Sequence, residues 1–348
     1  MGLYVDIEKR MGDFHLEVQF QAGRETLALL GASGCGKSVT LKCVAGILTP
    51  DKGRITLDGV TLFDSAARID LPPQKRRVGY LFQQYALFPN MTVRQNIAAA
   101  VRDRKTRTAA TEEKLRQFQL EAVADLRPAQ LSGGQQQRCA LARILASEPG
   151  AILLDEPFSA LDSYLKYQLE LELWETLSAF PGPVVWVSHD RGEVLRNCPK
   201  VCVMDHGRSQ AVRPMADLMA RPGTEAAARL SGCENFADAA PQGDRVHLPA
   251  WGVTLACGGA VPEEIHRAGI RARSLRPAEA GMENAFACRV VRVVEDVNAL
   301  TVLLRPEAAA ADAPPIRMEA DRGTWRAQSG ETVTVAVDPG EILLLSDK

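Results

Sequence analysis

Eight consecutive residues, from Gly31 to Ser38, have the composition and spacing of a phosphate-binding loop. Their sequence, Gly-Ala-Ser-Gly-Cys-Gly-Lys-Ser, fits the pattern G-x-x-x-x-G-K-[ST]. Glycines let the backbone approach phosphate oxygens closely, and the following helix presents its N–H groups and positive end to the same place. Lys37 should reach the β- and γ-phosphates of a nucleoside triphosphate, and the Ser38 hydroxyl should bind Mg²⁺. The predicted nucleotide contacts are Gly31, Ala32, Ser33, Gly34, Cys35, Gly36, Lys37 and Ser38.

A second anion-binding sequence lies at Ser132, Gly133, Gly134 and Gln135. It opens a helical pattern that ends near Ala146. A serine at the start of a helix caps free N–H groups, and the start of a helix attracts anions. One triphosphate needs a single cradle of this kind, so a second cradle in the same chain needs a separate explanation.

Polar residues follow three apolar runs that are typical of buried strands. They are Gln83 after the first run, Asp155 and Glu156 after the second, and His189 after the third. Functional groups gather at the carboxyl ends of parallel strands, so we expect these side chains to meet. Asp155 ends its strand, which suits a carboxylate that holds Mg²⁺. Taken alone, the Asp-Glu pair is also compatible with a solvated helix start, and a single histidine is more often structural.

The order of these motifs resembles that of the ATP-binding cassette (ABC) family across roughly residues 3–232. The resemblance implies that Glu156 polarises the attacking water and that His189 contacts the γ-phosphate. It also implies that Gln83 contacts Mg²⁺ or water; Gln84 is the alternative, but Gln83 directly follows an aromatic residue. The implied activity is hydrolysis of ATP to ADP and phosphate. The implied metal contacts are Ser38, Gln83 and Asp155.

The same resemblance implies a homodimer, because in the family the second cradle closes on the nucleotide bound by the other subunit. Ser132, Gly133, Gly134 and Gln135 would then contact ATP across the interface. Asp162 ends a Ser-Ala-Leu-Asp sequence that resembles the adjoining loop at this interface. The family usually places an aromatic residue under the adenine. Tyr4 and Phe14 are candidates, and we favour Phe14 as a core residue.

The elements that must position these residues predict an α/β fold. Apolar runs alternate with helical patterns, which indicates a mostly parallel sheet with helices on both faces. The resemblance makes this a P-loop NTPase cassette with an antiparallel β subdomain and a helical subdomain at about 84–147. Within the β subdomain, residues 55–63 predict a hairpin with Asp58 and Gly59 at the turn.

After residue 232 the pattern changes to short strand-like runs at regular spacing. This pattern predicts a small all-β barrel, with residues 1–232 as the ATPase domain and 233–348 as the second domain. A resemblance to the transport-associated domains of importers implies that the barrel is OB-like. Residues 306–315 are rich in alanine and proline and predict a loop inside the barrel.

The bulk composition is that of a globular protein without a membrane span. The 348 residues are 46% hydrophobic and 24% charged, and the formal net charge of −2 gives no reason to expect nucleic acid as a partner. No apolar run approaches the ~18–20 residues that cross a bilayer. We therefore expect a cytosolic protein, and the family resemblance implies a peripheral position at the cytoplasmic face of the cell membrane, held there by a partner. None of the eight cysteines form a C-x-x-C pair, so we expect reduced, packed thiols.

Among ABC proteins, the separate ATPase subunit of a prokaryotic importer fits this organisation best. Exporters commonly fuse the cassette to membrane helices, and translation-type proteins carry two cassettes. The implied partners are a second copy of the chain, transmembrane permease subunits and, indirectly, a periplasmic or surface solute-binding protein. An alternative of another class is a soluble ATPase that acts on a macromolecule.

The cargo is indicated only by the C-terminal half. Residues 269–277 and 284–296 resemble the transport-associated barrel of molybdate and sulfate importers. Molybdate or a related oxyanion, such as sulfate or tungstate, is therefore the favoured cargo, with iron(III), polyamine or sugar as alternatives. Arg271, Arg273 and Arg276 are either anion donors or a solvated basic strand.

Overall fold

The computed structural model describes residues 2–158, 163–295, 299–310, 313–323 and 325–346, without the side chains of residues 163–165 and 168. The chain forms two compact units, Met1–Met215 and Ala216–Lys348. The sequence placed the boundary later, after residue 232. The difference arises because the helix at Glu225–Leu230 belongs to the second unit: its Ala228 packs in one buried cluster with Cys233, Leu343 and Leu345.

The first unit is built on one mixed sheet with helices packed against it. Its strands are β1 (Leu3–Met11), β2 (Phe14–Ala22), β3 (Thr26–Leu30), β4 (Lys52–Leu57), β5 (Val60–Asp64), β6 (Ile69–Asp70), β7 (Val78–Leu81), β8 (Ala151–Asp155), β9 (Val184–Ser188), β10 (Lys200–Asp205), β11 (Arg208–Ser209) and β12 (Arg213–Pro214). The helices of the chain are α1 (Lys37–Ala45), α2 (Pro73–Arg76), α3 (Val93–Ala98), α4 (Arg107–Gln117), α5 (Gly133–Ala146), α6 (Ser163–Ser178), α7 (Arg191–Asn197), α8 (Met215–Ala220) and α9 (Glu225–Leu230).

The parallel part of the sheet runs in the order β10-β3-β9-β8-β7. Every residue of β8 and β9 is buried, as expected for strands covered on both faces. The register pairs Leu30 with Ser188 and Asp155 with Val187, so the carboxyl ends of these strands are level. This confirms the predicted α/β cassette fold and brings the residues that follow the strands to one edge of the sheet.

An antiparallel sheet portion, β6-β5-β4-β1-β2, continues from the parallel strands through β11. Alternating burial along β2 matches the alternation of apolar and polar residues in the sequence. The predicted hairpin is present: β4 pairs with β5, and Asp58 and Gly59 have φ angles of 49° and 83°. Two successive positive φ angles are those of the type I′ turn that Asp-Gly favours.

The second unit consists mainly of antiparallel strands. They are β13 (Asn235–Asp238), β14 (Ala240–Gln242), β15 (Arg245–Leu248), β16 (Val253–Ala256), β17 (Arg267–Ile270), β18 (Leu275–Pro277), β19 (Ala285–Glu295), β20 (Leu300–Pro306), β21 (Ile316–Ala320), β22 (Thr332–Val337) and β23 (Leu343–Leu345). The strands form three sheets, in the orders β13-β17-β23, β14-β15-β16 and β18-β22-β19-β20-β21. Trp251, 2% exposed, lies in their common hydrophobic core. This agrees with the predicted β-barrel.

In the part of the chain that the structure describes, no helix combines the length and apolar character needed to cross a membrane.

Candidate functional site

The loop between β3 and α1 begins at Gly31, directly after the carboxyl end of β3, and ends where α1 starts at Lys37. Gly36 precedes the helix with a φ of 103°, a conformation that side chains rarely adopt. A Cβ atom at Gly36 would lie 2.5 Å from Leu16 Cδ1, so the packing of β2 against the loop also requires glycine. The backbone is therefore shaped by glycine at the point where a phosphate must approach it.

The Lys37 ammonium lies inside this loop. Its Nζ donates hydrogen bonds to the carbonyl oxygens of Gly31 and Ala32, at 2.7 and 2.8 Å, and lies 3.7 Å from Cys35 Sγ. Lys37 is only 7% exposed, so these carbonyls provide its polar surroundings. A lysine held in this way is preorganised beside the phosphate position and can exchange carbonyl partners for phosphate oxygens.

Ser38 and Asp155 meet at the base of the loop. The Ser38 hydroxyl donates to Asp155 Oδ1 at 2.7 Å, and the Tyr80 hydroxyl donates to Asp155 Oδ2 at 2.7 Å. Burial, together with the neighbouring Asp155 carboxylate, raises the pKa of Tyr80 well above its usual value, so Tyr80 remains a donor. A hydroxyl and a carboxylate are hard oxygen ligands of the kind that Mg²⁺ prefers, and their oxygens are already adjacent. The residues present therefore fit a magnesium site.

Glu156 is the meeting point of two other predicted site residues. Its Oε2 accepts a hydrogen bond from Gln83 Nε2 at 3.4 Å, and its Oε1 lies 3.3 Å from His189 Nδ1. The backbone N–H of Glu156 donates to Val187 O at 2.9 Å, which ties the residue to the end of β9. Glu156 has a φ of 49°, an unusual backbone conformation for a residue with a side chain. The fold thus aims this carboxylate differently from that of the adjacent Asp155.

An open groove of about 720 Å³ connects these groups. The residues that line it are Met11, Phe14, Ser33, Gly34, Gly36, Lys37, Ser38, Val39, Glu156 and His189. The groove is continuous from the phosphate-binding loop to the Glu156 carboxylate and is large enough for part of a nucleotide. Its wall includes Glu156, His189 and five residues of the predicted loop, which are Ser33, Gly34, Gly36, Lys37 and Ser38.

Phe14 has a position that sequence reasoning did not favour. The ring packs against the hydrophobic core, as expected, but it also lines the groove beside Gly36. Tyr4, the other aromatic candidate, is not among the groove-lining residues, and its hydroxyl donates to Asp6 Oδ2 at 3.1 Å. The sequence places Phe14 at the start of the strand that packs against the loop. The alternation of apolar and polar residues along this strand does not show which face of the sheet the loop covers.

The second anion-binding sequence forms the start of α5, as predicted. Ser132 Oγ accepts the Gln135 N–H at 3.3 Å, and Gln135 Oε1 accepts the Ser132 N–H at 3.0 Å. Ser132 is exposed. Of the described residues that line the groove, none comes from 132–135. Asp162 lies outside the described residues.

Two of the three arginines named from the sequence, Arg271 and Arg276, have protein partners, while Arg273 is exposed. Arg271 is 5% exposed, and its guanidinium donates to Met219 O and Ser231 Oγ. Arg276 is paired with both carboxylate oxygens of Asp338, at 2.9 and 2.5 Å. The Arg271 side chain links the end of β17 to α8 and to the end of α9, whereas Arg276 links β18 to the end of β22. The sequence identified the residue types but not these partners.

The sequence of this chain is similar to those of known transport proteins. Residues 15–159 match the family model described as "ABC transporter". The chain is 34% identical to the sulfate/thiosulfate import ATP-binding protein of Burkholderia mallei, over 99% of this chain and 96% of that protein. It is 40% identical to the molybdate/tungstate import ATP-binding protein of Archaeoglobus fulgidus, over 66% of this chain and 95% of that protein.

Two further similarities each cover less than two thirds of this chain. The molybdenum import ATP-binding protein of Paramagnetospirillum magneticum is 40% identical over 64% of this chain, and the match spans 61% of that relative's length. A solved dimeric ATP-binding cassette with bound ADP and phosphate is 28% identical, with a TM-score of 0.52, over 62% of this chain and 99% of that one.

Proposed function

Because the chain belongs to the ABC transporter family, we propose that it is the ATP-hydrolysing subunit of a prokaryotic importer. The observation that carries the proposal is the convergence of Lys37, the Ser38–Asp155 pair and the Glu156–His189 pair on one groove. These groups supply a phosphate cradle, a cation site and a base, which together suffice for phosphoryl transfer to water.

Each residue has a distinct role in this proposal. Lys37 binds the β- and γ-phosphates, while Ser38 and Asp155 hold Mg²⁺, which neutralises phosphate charge when bound. Glu156 accepts a proton from the attacking water as a general base. His189, beside Glu156 at 3.3 Å, orients the γ-phosphate and the water, and Gln83 reaches the same carboxylate from the other side.

The working form in this proposal is a homodimer with two ATP molecules between the subunits. The cradle at Ser132, Gly133, Gly134 and Gln135 of one subunit closes on the nucleotide held by the other. Two observations support this arrangement: the groove of one chain is not lined by these residues, and the chain resembles a cassette solved as a dimer. Helix starts bind anions, so closure would complete the phosphate site.

The segment from Gln83 to Asn96 is the proposed contact with the permease. It carries exposed apolar side chains, Phe88 at 47% and Met91 at 37% exposure. Arg143 supports the segment from α5: its guanidinium donates to Ala86 O at 2.8 Å and lies 5.2 Å from the Phe88 ring centroid. An anchored apolar surface that begins at Gln83 can transmit closure of the site to a membrane partner at the cytoplasmic face.

The proposed cargo is molybdate, or the related oxyanions tungstate and sulfate, delivered by a solute-binding protein. Support comes from the relatives reported above, which are named as molybdenum, molybdate/tungstate and sulfate/thiosulfate import proteins. The C-terminal β unit, which resembles the transport-associated barrel, is consistent with this group.

Reconstitution tests the proposal. The chain, co-expressed with a molybdate permease, should co-purify with it and hydrolyse ATP faster when the binding protein carries molybdate. Lys37→Ala should abolish stimulated hydrolysis and uptake. ATP hydrolysis without a permease partner would favour a soluble ATPase, and stimulation by another loaded binding protein would change the cargo.

A further inference from the structure

His189 depends on its neighbours for its position. Its side chain is 65% exposed, so packing does little to fix the imidazole beside Glu156. The residues on either side of it are held instead. Ser188, 2% exposed, ends β9, and its Oγ accepts the Asp190 N–H at 3.0 Å. Asp190 caps α7 by accepting the Glu193 N–H at 3.2 Å. The position of the backbone around His189 therefore depends on the contacts that hold Asp190.

Lys166 is the cation that holds Asp190. Its Nζ lies 2.5 Å from Asp190 Oδ2 and 3.2 Å from Glu193 Oε2, so one ammonium bridges two carboxylates of the His189 loop and α7. Lys166 belongs to the first turn of α6, a different element. Burial acts to raise the pKa of Asp190, but the hydrogen bond and charge of Lys166, together with the backbone N–H groups of Glu193 and Gly192, hold that pKa below its usual value.

Removal of the Lys166 ammonium would leave the buried Glu193 carboxylate without its cation. It is 2% exposed, and its Oε1 accepts the indole N–H of buried Trp186 at 2.6 Å. Burial raises the pKa of Glu193, although Trp186 and Lys166 oppose this effect. A buried carboxylate that loses its cation is strongly unfavourable and will rearrange or take up a proton. Either response disturbs the start of α7, next to His189.

A second connection between α6 and α7 does not involve Lys166. Arg196 Nε and Nη2 donate to the two Glu170 carboxylate oxygens at 2.7 and 2.8 Å, and Asn197 Nδ2 donates to Glu170 Oε1 at 2.5 Å. The hydrogen bonds of this clamp join the same two helices through Glu170, although the Arg196 charge also interacts electrostatically with Asp190 and Glu193. It provides a comparison variant, because its loss should destabilise the helix pair and displace His189 less than loss of Lys166.

We propose that Lys166 is a positioning residue for hydrolysis, which keeps His189 beside Glu156 by holding Asp190 and Glu193. This role rests on the proposed function, since it acts through a residue assigned to the γ-phosphate. It makes α6 part of the hydrolytic machinery, although none of the described side chains of α6 lines the groove.

The kinetic test compares Lys166→Met, Lys166→Arg and Arg196→Gln. Lys166→Met should lower kcat by about ten- to a hundredfold, the loss expected when a catalytic group is misplaced by about an ångström. Nucleotide Kd should change little, because the phosphate loop is untouched. Lys166→Arg should restore most of the rate, and Arg196→Gln should lower Tm without a comparable loss of kcat. Equal loss of kcat in Lys166→Met and Arg196→Gln would reduce Lys166 to a structural role.

A double-mutant cycle tests whether Lys166 acts through His189. In a His189→Ala background, Lys166→Met should cause no further loss of kcat. An additive loss would overturn the proposal. If Lys166→Met does not fold, Glu193→Gln is added to it. The double variant has no uncompensated buried charge at position 193, but Asp190 still lacks its cation. Its kcat should fall as expected for Lys166→Met, again with no further loss in the His189→Ala background.

A spectroscopic test separates this inference from the proposed function. In the nucleotide-free protein, the imidazole NMR signal of His189, assigned by its loss in His189→Ala, should shift or broaden in Lys166→Met and less so in Arg196→Gln. An unchanged His189 signal in Lys166→Met would overturn the positioning role. If the wild-type protein hydrolyses no ATP, the proposed function fails, and this comparison still decides whether Lys166 positions His189.

Discussion

The Ser38 hydroxyl donates a 2.7 Å hydrogen bond to Asp155 Oδ1, although 117 positions separate the two residues in the chain. The contact exists because β3 and β8 flank β9 in parallel register, which makes the loop after β3 and the end of β8 neighbours. Two hard oxygen ligands are thus adjacent before any cation binds.

Ser38→Ala should raise the Mg²⁺ concentration needed for half-maximal ATP hydrolysis by about tenfold or more, because one oxygen ligand is lost. Mg²⁺ titration of the ATPase rate checks this, and the shift should be absent for Ser147→Ala, whose hydroxyl bonds only to Ile144 O at the end of α5. An unchanged Mg²⁺ requirement in Ser38→Ala would remove Ser38 from the metal site.

Tyr80→Phe should destabilise the protein without abolishing hydrolysis. It removes the hydroxyl that donates to Asp155 Oδ2 and leaves a buried carboxylate oxygen with one partner fewer. We expect the free energy of unfolding to fall by roughly 1–3 kcal/mol, the usual effect of losing a hydrogen bond to a charged group. Urea denaturation measures it. A variant as stable as the wild type would mean that solvent replaces the tyrosine.

Glu156→Gln should trap the ATP-bound dimer. Glutamine keeps the shape of the side chain but cannot accept a proton from water, so kcat should fall by roughly 10²–10⁴-fold. Single-turnover kinetics and size-exclusion chromatography with ATP and Mg²⁺ check both effects. Glu121→Gln, at an exposed acidic position, is the control. Near-normal turnover in Glu156→Gln would exclude Glu156 as the base.

Phe14→Ala should weaken ATP binding about tenfold, since a single base–aromatic contact is worth roughly 1–3 kcal/mol. The expectation follows from the place of Phe14 on the groove wall beside Gly36. Phe14→Tyr should retain affinity, and Tyr4→Phe should have no effect because Tyr4 does not line the groove. Binding of a fluorescent ATP analogue measures all three. Equal affinity of Phe14→Ala and the wild type would assign Phe14 to the core alone.

The buried thiols should be unreactive in the native protein. Burial raises the pKa of Cys43 to about 11 and of Cys139, Cys202, Cys233 and Cys288 to about 12, so at pH 8 these groups are almost wholly protonated. Thiol titration with an aromatic disulfide at pH 8 should modify these five slowly in native protein and rapidly in denaturant. Fast native reaction of all eight cysteines would contradict the packing described.

Local sequence was sufficient for the elements and the motifs. Periodicity of apolar residues distinguishes buried strands from amphipathic helices, and Asp58-Gly59 specifies its turn because few residues tolerate two positive φ angles. The convergence of Gln83, Glu156 and His189 was also predictable, because parallel strands place their carboxyl ends together.

Tertiary structure alone decided which side chains became partners. Arg271 is a buried structural donor instead of an anion ligand, Phe14 faces the groove as well as the core, and Lys166 bridges Asp190 and Glu193. Periodicity reports whether a residue faces the interior, but it carries no information about which distant residue lies opposite. That choice depends on the register and packing of elements far apart in the chain, and it determines how His189 is held.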